Sequence, residues 1–113
     1  MSGAKSRNKG AKGQREFKEM LADRDWIADQ ITAGIAAADL IATDTEGITW
    51  AVEVKNCIGI LASHKKQAIE QGNIRRLPWM LASKIAGSSS WLIQRKGELP
   101  QVWHDKRWIN NGN

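Results

Sequence analysis

The chain has 113 residues, 42% of them hydrophobic and 26% charged, which is enough for one modest core and too little for two. A single cysteine, Cys57, excludes an internal disulfide framework and suits a reducing compartment; with no apolar run long enough to span a bilayer and no signal segment, the sequence reads as a cytoplasmic protein without a membrane partner. The formal net charge of +5 sits wholly in residues 1–18, where Lys5, Arg7, Lys9, Lys12, Arg15 and Lys18 face Glu16 alone.

Residues 1–12 are rich in Gly and Ser and hold four of those cations. They read as a flexible basic arm that orders on a polyanion, ahead of a single domain over 13–113. Periodicity predicts a helix over 14–22, with Phe17, Met20 and Leu21 forming a buried stripe and Glu16 along its border. Residues 26–32 are weakly strand-like. Two strands follow, over 39–43 and 48–55, joined by the turn residues Asp44, Thr45, Glu46 and Gly47. Ser63 caps a second helix running to about Gln71, with Gly72 and Asn73 as stop signals. On it Gln67 and Gln71 share a face while Ala68 and Ile69 look inward. Runs 79–83 and 91–94 are further strands, Pro78 fitting just before the first, and Val102-Trp103 is a last short one. Trp50, Trp79 and Trp91 lie within apolar runs and are assigned to the core. Trp103 and Trp108 near the C-terminus are left to packing, an interface or base stacking.

The chemistry concentrates on the paired strands. Along a strand, alternation places Ile48, Trp50, Val52 and Val54 on one wholly apolar face, and Thr49, Ala51, Glu53 and Lys55 on the other. A turn centred on Glu46 sets Asp39 opposite Glu53, with Cβ atoms about 5 Å apart. Two carboxylates that close repel unless a cation lies between them, and a hard divalent ion such as Mg²⁺ is the usual one. The competing reading is a hairpin with one solvated face, on which Glu53 and Lys55 form an exposed ion pair of little consequence. Elsewhere Lys65, Lys66, Arg75, Arg76 and Lys84, against Glu70, form a second basic cluster that, with the arm and Arg15, suits a phosphate backbone. His64 and His104 are the only histidines, too few and too far apart for a zinc site, and read as surface residues. No phosphate-binding glycine loop is present, so no nucleotide cofactor is expected.

Taken in order, Lys-Gly-Ala-Lys-Gly-Gln-Arg-Glu-Phe at 9–17, Ala-Asp-Leu-Ile-Ala at 38–42, Val-Glu-Val-Lys at 52–55 and Lys-Gln-Ala at 66–68 form a recognisable series. The chain resembles the PD-(D/E)XK nuclease superfamily, and within it the Holliday junction resolvase-like endonucleases of archaea and phages. The resemblance spans roughly 9–95 and departs at Ala38, which stands where the family's signature proline precedes the aspartate. It implies an α/β, restriction-endonuclease-like fold, a mixed central sheet flanked by helices with an α-β-β-β-α-β core. It also implies that Asp39, Glu53, the Val54 carbonyl and Glu16 hold Mg²⁺ or Mn²⁺, that Lys55 serves the attacking water, and that Gln67 supports the site. The implied substrate is branched DNA, a four-way junction, cut by a homodimer; the apolar runs 79–81 and 91–93 and the Trp-rich C-terminus are the expected interface. The other functions in view are a nuclease for flaps or nicks or of broad specificity, and a non-catalytic DNA-binding accessory protein.

Overall fold

The structure is a computed structural model that describes residues 2–30, 40–56, 62–85 and 87–104, with side chains of the first helix described from Lys12 onward. The elements are α1 (Ser2–Asp23), β1 (Ile27–Gln30), β2 (Leu40–Thr43), β3 (Thr49–Lys55), α2 (Ala62–Arg75), β4 (Trp79–Lys84), β5 (Ser90–Arg95) and β6 (Gln101–His104). All six strands form one sheet in sequence order. Only β3 and β4 run parallel; every other neighbouring pair is antiparallel. That parallel pair demands a crossover, which α2 supplies.

The two faces of the sheet are covered by different helices. Phe17, Met20 and Leu21 of α1 pack against Leu40, Ala42, Trp50, Val52, Val54, Met80, Ala82, Trp91 and Ile93, forming the main core. On the other face Ala68 of α2 meets Trp79 and Leu81, with Ile69 against them. Both helices end in a 6→1 and 5→2 pair of hydrogen bonds: Trp26 and Asp25 donate to Leu21 and Ala22, and Leu77 and Arg76 donate to Gly72 and Asn73. Asp25 and Arg76 take the left-handed conformation this closure needs. In the β2–β3 turn the Asp44 carboxylate accepts from the amides of Glu46 and Ile48, both at 2.9 Å. Gly47, at φ 85°, completes the turn where a side chain would be strained.

Four readings change. Gly72 does not stop α2, which continues to Arg75. A Cβ on Gly72 would lie 2.8 Å from the Leu77 carbonyl and 3.1 Å from the Trp79 Cβ, so the glycine is there for close packing. Runs 79–81 and 91–93 are not an interface: Trp79, Met80, Leu81, Trp91 and Ile93 are all buried within the chain, and Trp103 with them. Nor is the Glu53 face of β3 solvated, because α2 lies over it and Ala51 and Glu53 are both buried. The helical backbone of α1 also begins at Ser2, so it runs through the stretch 2–12 that reads from sequence as an arm.

Candidate active site

The site is built at the end of the parallel strand pair. Glu53 is 2% exposed, the one charged residue in the described interior. It pairs across the sheet with Leu81, under α2. Lys55 follows two residues on, on the same face and at the rim, with its Nζ 3.7 Å from Glu53 Oε2. That separation is an ion pair and is too long for a hydrogen bond, leaving the ammonium able to turn elsewhere. Val54 between them points its side chain into the α1-side core.

Asp39 lies outside the described residues. The described β2–β3 register runs through Thr43–Thr49, Ala42–Trp50, Ile41–Ala51 and Leu40–Val52, the alignment expected for a turn centred on Glu46. Cys57 and Trp108 also fall outside, and among the described residues no three His, Cys, Asp or Glu side chains cluster as a metal site.

Glu16 comes to the same end of the sheet from α1. A Cβ on Gly13, one turn earlier, would lie 3.2 Å from the Cβ of Asn56, the residue after Lys55, so helix and strand end are in close approach. The Glu16 carboxylate is held between two lysines, Lys84 Nζ at 2.9 Å and Lys12 Nζ at 3.9 Å. Lys84 also lies 5.1 Å over the Trp91 ring. Gln67 is exposed on α2, whereas Gln71 is buried, its Oε1 without a hydrogen-bond partner among the described residues. Of the basic residues, Lys12, Arg15, Lys66 and Arg76 are exposed, and Lys65 and Arg75 half-buried; the side chains of Lys5, Arg7 and Lys9 are outside the described ones.

Sequence reasoning missed Ser83 and Gln71, put Lys84 in the basic cluster instead of beside Glu16, and placed both histidines on the surface. Lys84 and Glu16 are 68 positions apart, and nothing local marks them as partners. His104 is half-buried, its Nδ1 2.6 Å from the Ser90 hydroxyl. His64 is half-buried in the first turn of α2, and burial first, then the charge of Lys55, holds its pKa below the ordinary value. A group depressed in the fold binds a proton more readily when unfolded, so stability falls as the pH drops below about 6.5. The urea midpoint should therefore decline between pH 7 and pH 5, and His64→Gln should flatten that decline; equal slopes in both proteins would remove His64 as its source.

At the opposite end of the sheet lies a cavity of about 410 Å³, lined by Trp26, Trp50, Trp103, Arg24, Arg95, Asp44 and Glu98, among others. Its groups largely satisfy one another. Arg24 lies 4.4 Å over Trp103, and Arg95 lies 5.1 Å over Trp50 while donating to Glu98 at 2.8 Å. Burial alone would raise the pKa of Asp44. Hydrogen bonds from the Trp50 indole and the Ile48 and Glu46 amides, with the charge of Arg95, outweigh it and lower the pKa. The cluster ties the β2–β3 turn to β5.

No family model matches the sequence, and no curated protein matches it significantly. Among solved structures, the chain is similar to Archaeoglobus fulgidus Hjc, a Holliday junction resolvase from an archaeal hyperthermophile. That match has TM-score 0.60 and 19% identity over 88% of this chain and 85% of the other. A VRR_NUC domain matches at TM-score 0.44 and 22% identity, over 61% of this chain and 77% of that one. At such identities the first match is a likeness of fold, and it bears out the restriction-endonuclease-like α/β architecture, the mixed sheet between α1 and α2.

Proposed function

We propose that this chain, carrying the restriction-endonuclease-like fold, is a metal-dependent DNA endonuclease that cuts branched DNA. The observation that carries the reading is Glu53, a carboxylate buried at the end of a parallel strand pair with Lys55 at 3.7 Å. A carboxylate is rarely kept at such burial without a cation to serve.

The donors available for an ion are all oxygens: the carboxylates of Glu53 and Asp39, the Val54 carbonyl and, once released from Lys84, Glu16. That set fits Mg²⁺, with Mn²⁺ able to substitute, better than a softer metal. The ion, when bound, neutralises the scissile phosphate and acidifies the attacking water. Lys55 adds a positive charge beside that water, where negative charge develops on the phosphate oxygens as the water attacks phosphorus and the leaving oxygen departs. Lys12, Arg15, Lys65, Lys66 and Arg76 supply backbone contacts that position the DNA without reading its sequence.

Paired cuts in a four-way junction need two sites, which a twofold homodimer provides. With the buried tryptophan runs excluded, Ile27 on β1 and Val102 on β6, 73% and 48% exposed, are the apolar positions on the two sheet edges that such a contact can use.

The test is a cleavage panel of four-way junction, flap, nicked duplex and linear duplex, with and without Mg²⁺, beside light scattering at micromolar concentration. Paired nicks in the junction, Mg²⁺ dependence and a dimer mass are expected. Equal attack on linear duplex would make this a nuclease of broad specificity, and binding without cleavage in either metal would make it an accessory protein. Deleting residues 1–12 removes Lys5, Arg7, Lys9 and Lys12. It should weaken binding to every sequence and flatten the salt dependence by about 0.9 in log–log slope for each phosphate that the protein no longer neutralises. An unchanged slope would make the segment a bystander.

A further inference from the structure

We propose that Ser83 is a positioning residue for Lys55, its hydroxyl accepting from the ammonium when Lys55 turns from Glu53 toward the DNA phosphate. The inference rests on the nuclease reading above and adds a residue to the same site.

Ser83 is 0% exposed, and its Oγ has no hydrogen-bond partner among the described residues. Buried hydroxyls are nearly always satisfied, so one left open calls for a reason. Its neighbours in the sheet supply one. Ser83 pairs with Lys55 on the parallel side and with Leu92 on the antiparallel side. Paired residues share a face, and adjacent strands lie about 4.8 Å apart. In this row of the sheet, then, the hydroxyl stands between an apolar side chain and the stem of Lys55. The other four residues of β4 from Trp79 to Ala82 are apolar and buried. An alanine at 83 would complete that run without an orphaned oxygen, so packing alone does not account for the serine.

The ammonium has three hydrogens to place. With Glu53 Oε2 at 3.7 Å, its ion pair is loose. Glu53 and the phosphate make competing demands on Lys55, since an amine drawn fully onto the carboxylate is withheld from the substrate. A neutral acceptor beside its stem takes one hydrogen without cancelling the charge and leaves two to face the DNA. Ser83 is placed to be that acceptor.

Steady-state cleavage by Ser83→Ala, Ser83→Thr and Lys55→Ala, with thermal melts of each, tests this. Ser83→Ala should lower kcat about 10- to 100-fold, the scale of a misplaced reacting group. KM for DNA should stay the same and Tm equal or higher, because a buried unpaired hydroxyl is gone. Ser83→Thr, which keeps the hydroxyl, should recover most of the loss. Wild-type kcat in Ser83→Ala, or a loss that a folded Ser83→Thr fails to reverse, overturns the inference while a dead Lys55→Ala leaves the nuclease reading standing. Full activity in Lys55→Ala, or no cleavage by the wild-type chain, overturns the nuclease reading and this inference with it.

Discussion

Glu53→Gln should lower DNA cleavage by more than about 100-fold while the protein folds and binds DNA as before. The substitution keeps the shape of a side chain that is 2% exposed and removes only its charge. Residues that merely support metal ligands typically cost about 10- to 100-fold when changed, and a direct ligand costs more. Folding should be spared, because the ion-pair partner Lys55 is at the rim with 25% of its side chain exposed and can turn to water. Burying a charge carries a desolvation cost, so a neutral side chain of the same shape at that position is well tolerated. Affinity for DNA should hold or rise, since one negative charge near the phosphates is gone. Asp39→Asn should behave alike. Calorimetric titration with Mg²⁺ or Mn²⁺ should lose its signal in both variants, and full cleavage by Glu53→Gln would sink the assignment.

Trp91→Ala should cost about 3–5 kcal/mol, the usual range for deleting a large aromatic from a core. Trp91 is 1% exposed and its ring centroid lies 4.8 Å from that of Phe17, tilted by 58°. It therefore fastens α1 to the sheet. Against a total of about 5–15 kcal/mol for a native domain, the loss brings the chain near its threshold, and the urea midpoint should fall by about 1 M or more. The consequence reaches the site, because Lys84 lies against the same ring and holds Glu16 at 2.9 Å. Leu99→Ala, at a residue 85% exposed, is the control and should leave the midpoint unchanged. A small shift for Trp91→Ala would mean that α1 is held chiefly by Met20 and Leu21.

How far the site could be read in advance depended on how local its signals are. The Asp44–Gly47 turn has a two-sided local cause, an aspartate accepting from following amides and a glycine at positive φ, so the β2–β3 register was legible to the residue. The stripe of Phe17, Met20 and Leu21 was legible for the same reason, since helical spacing alone makes it a face. Gly72 was misread because a helix-stopping glycine and a glycine that admits a neighbouring strand look identical in sequence. The two glutamines of α2 were set on one face by their spacing of four. The helix is rotated so that Gln71 meets the sheet and Gln67 meets water, a choice made by packing of Ala68 on Leu81 and of Gly72 on Trp79.

By itself the sequence determined the pieces whose causes lie within a few residues: the strands, the turn, the buried stripe of α1, and the alternation that puts Glu53 and Lys55 on one face. Tertiary structure alone decided what covers that face. Thr49, Ala51, Glu53 and Lys55 alternate with apolar residues as they would on a half-solvated hairpin, and only the crossover helix between β3 and β4 turns the exposed reading into a buried carboxylate. Tertiary structure also brought Lys84 to Glu16, Ser83 beside Lys55 and His64 within reach of the Lys55 charge. These are encounters between segments with no common periodicity. Chain geometry sets the propensity of each segment, but which polar groups meet at a strand end follows from the sheet order and from the side of the sheet on which each helix packs.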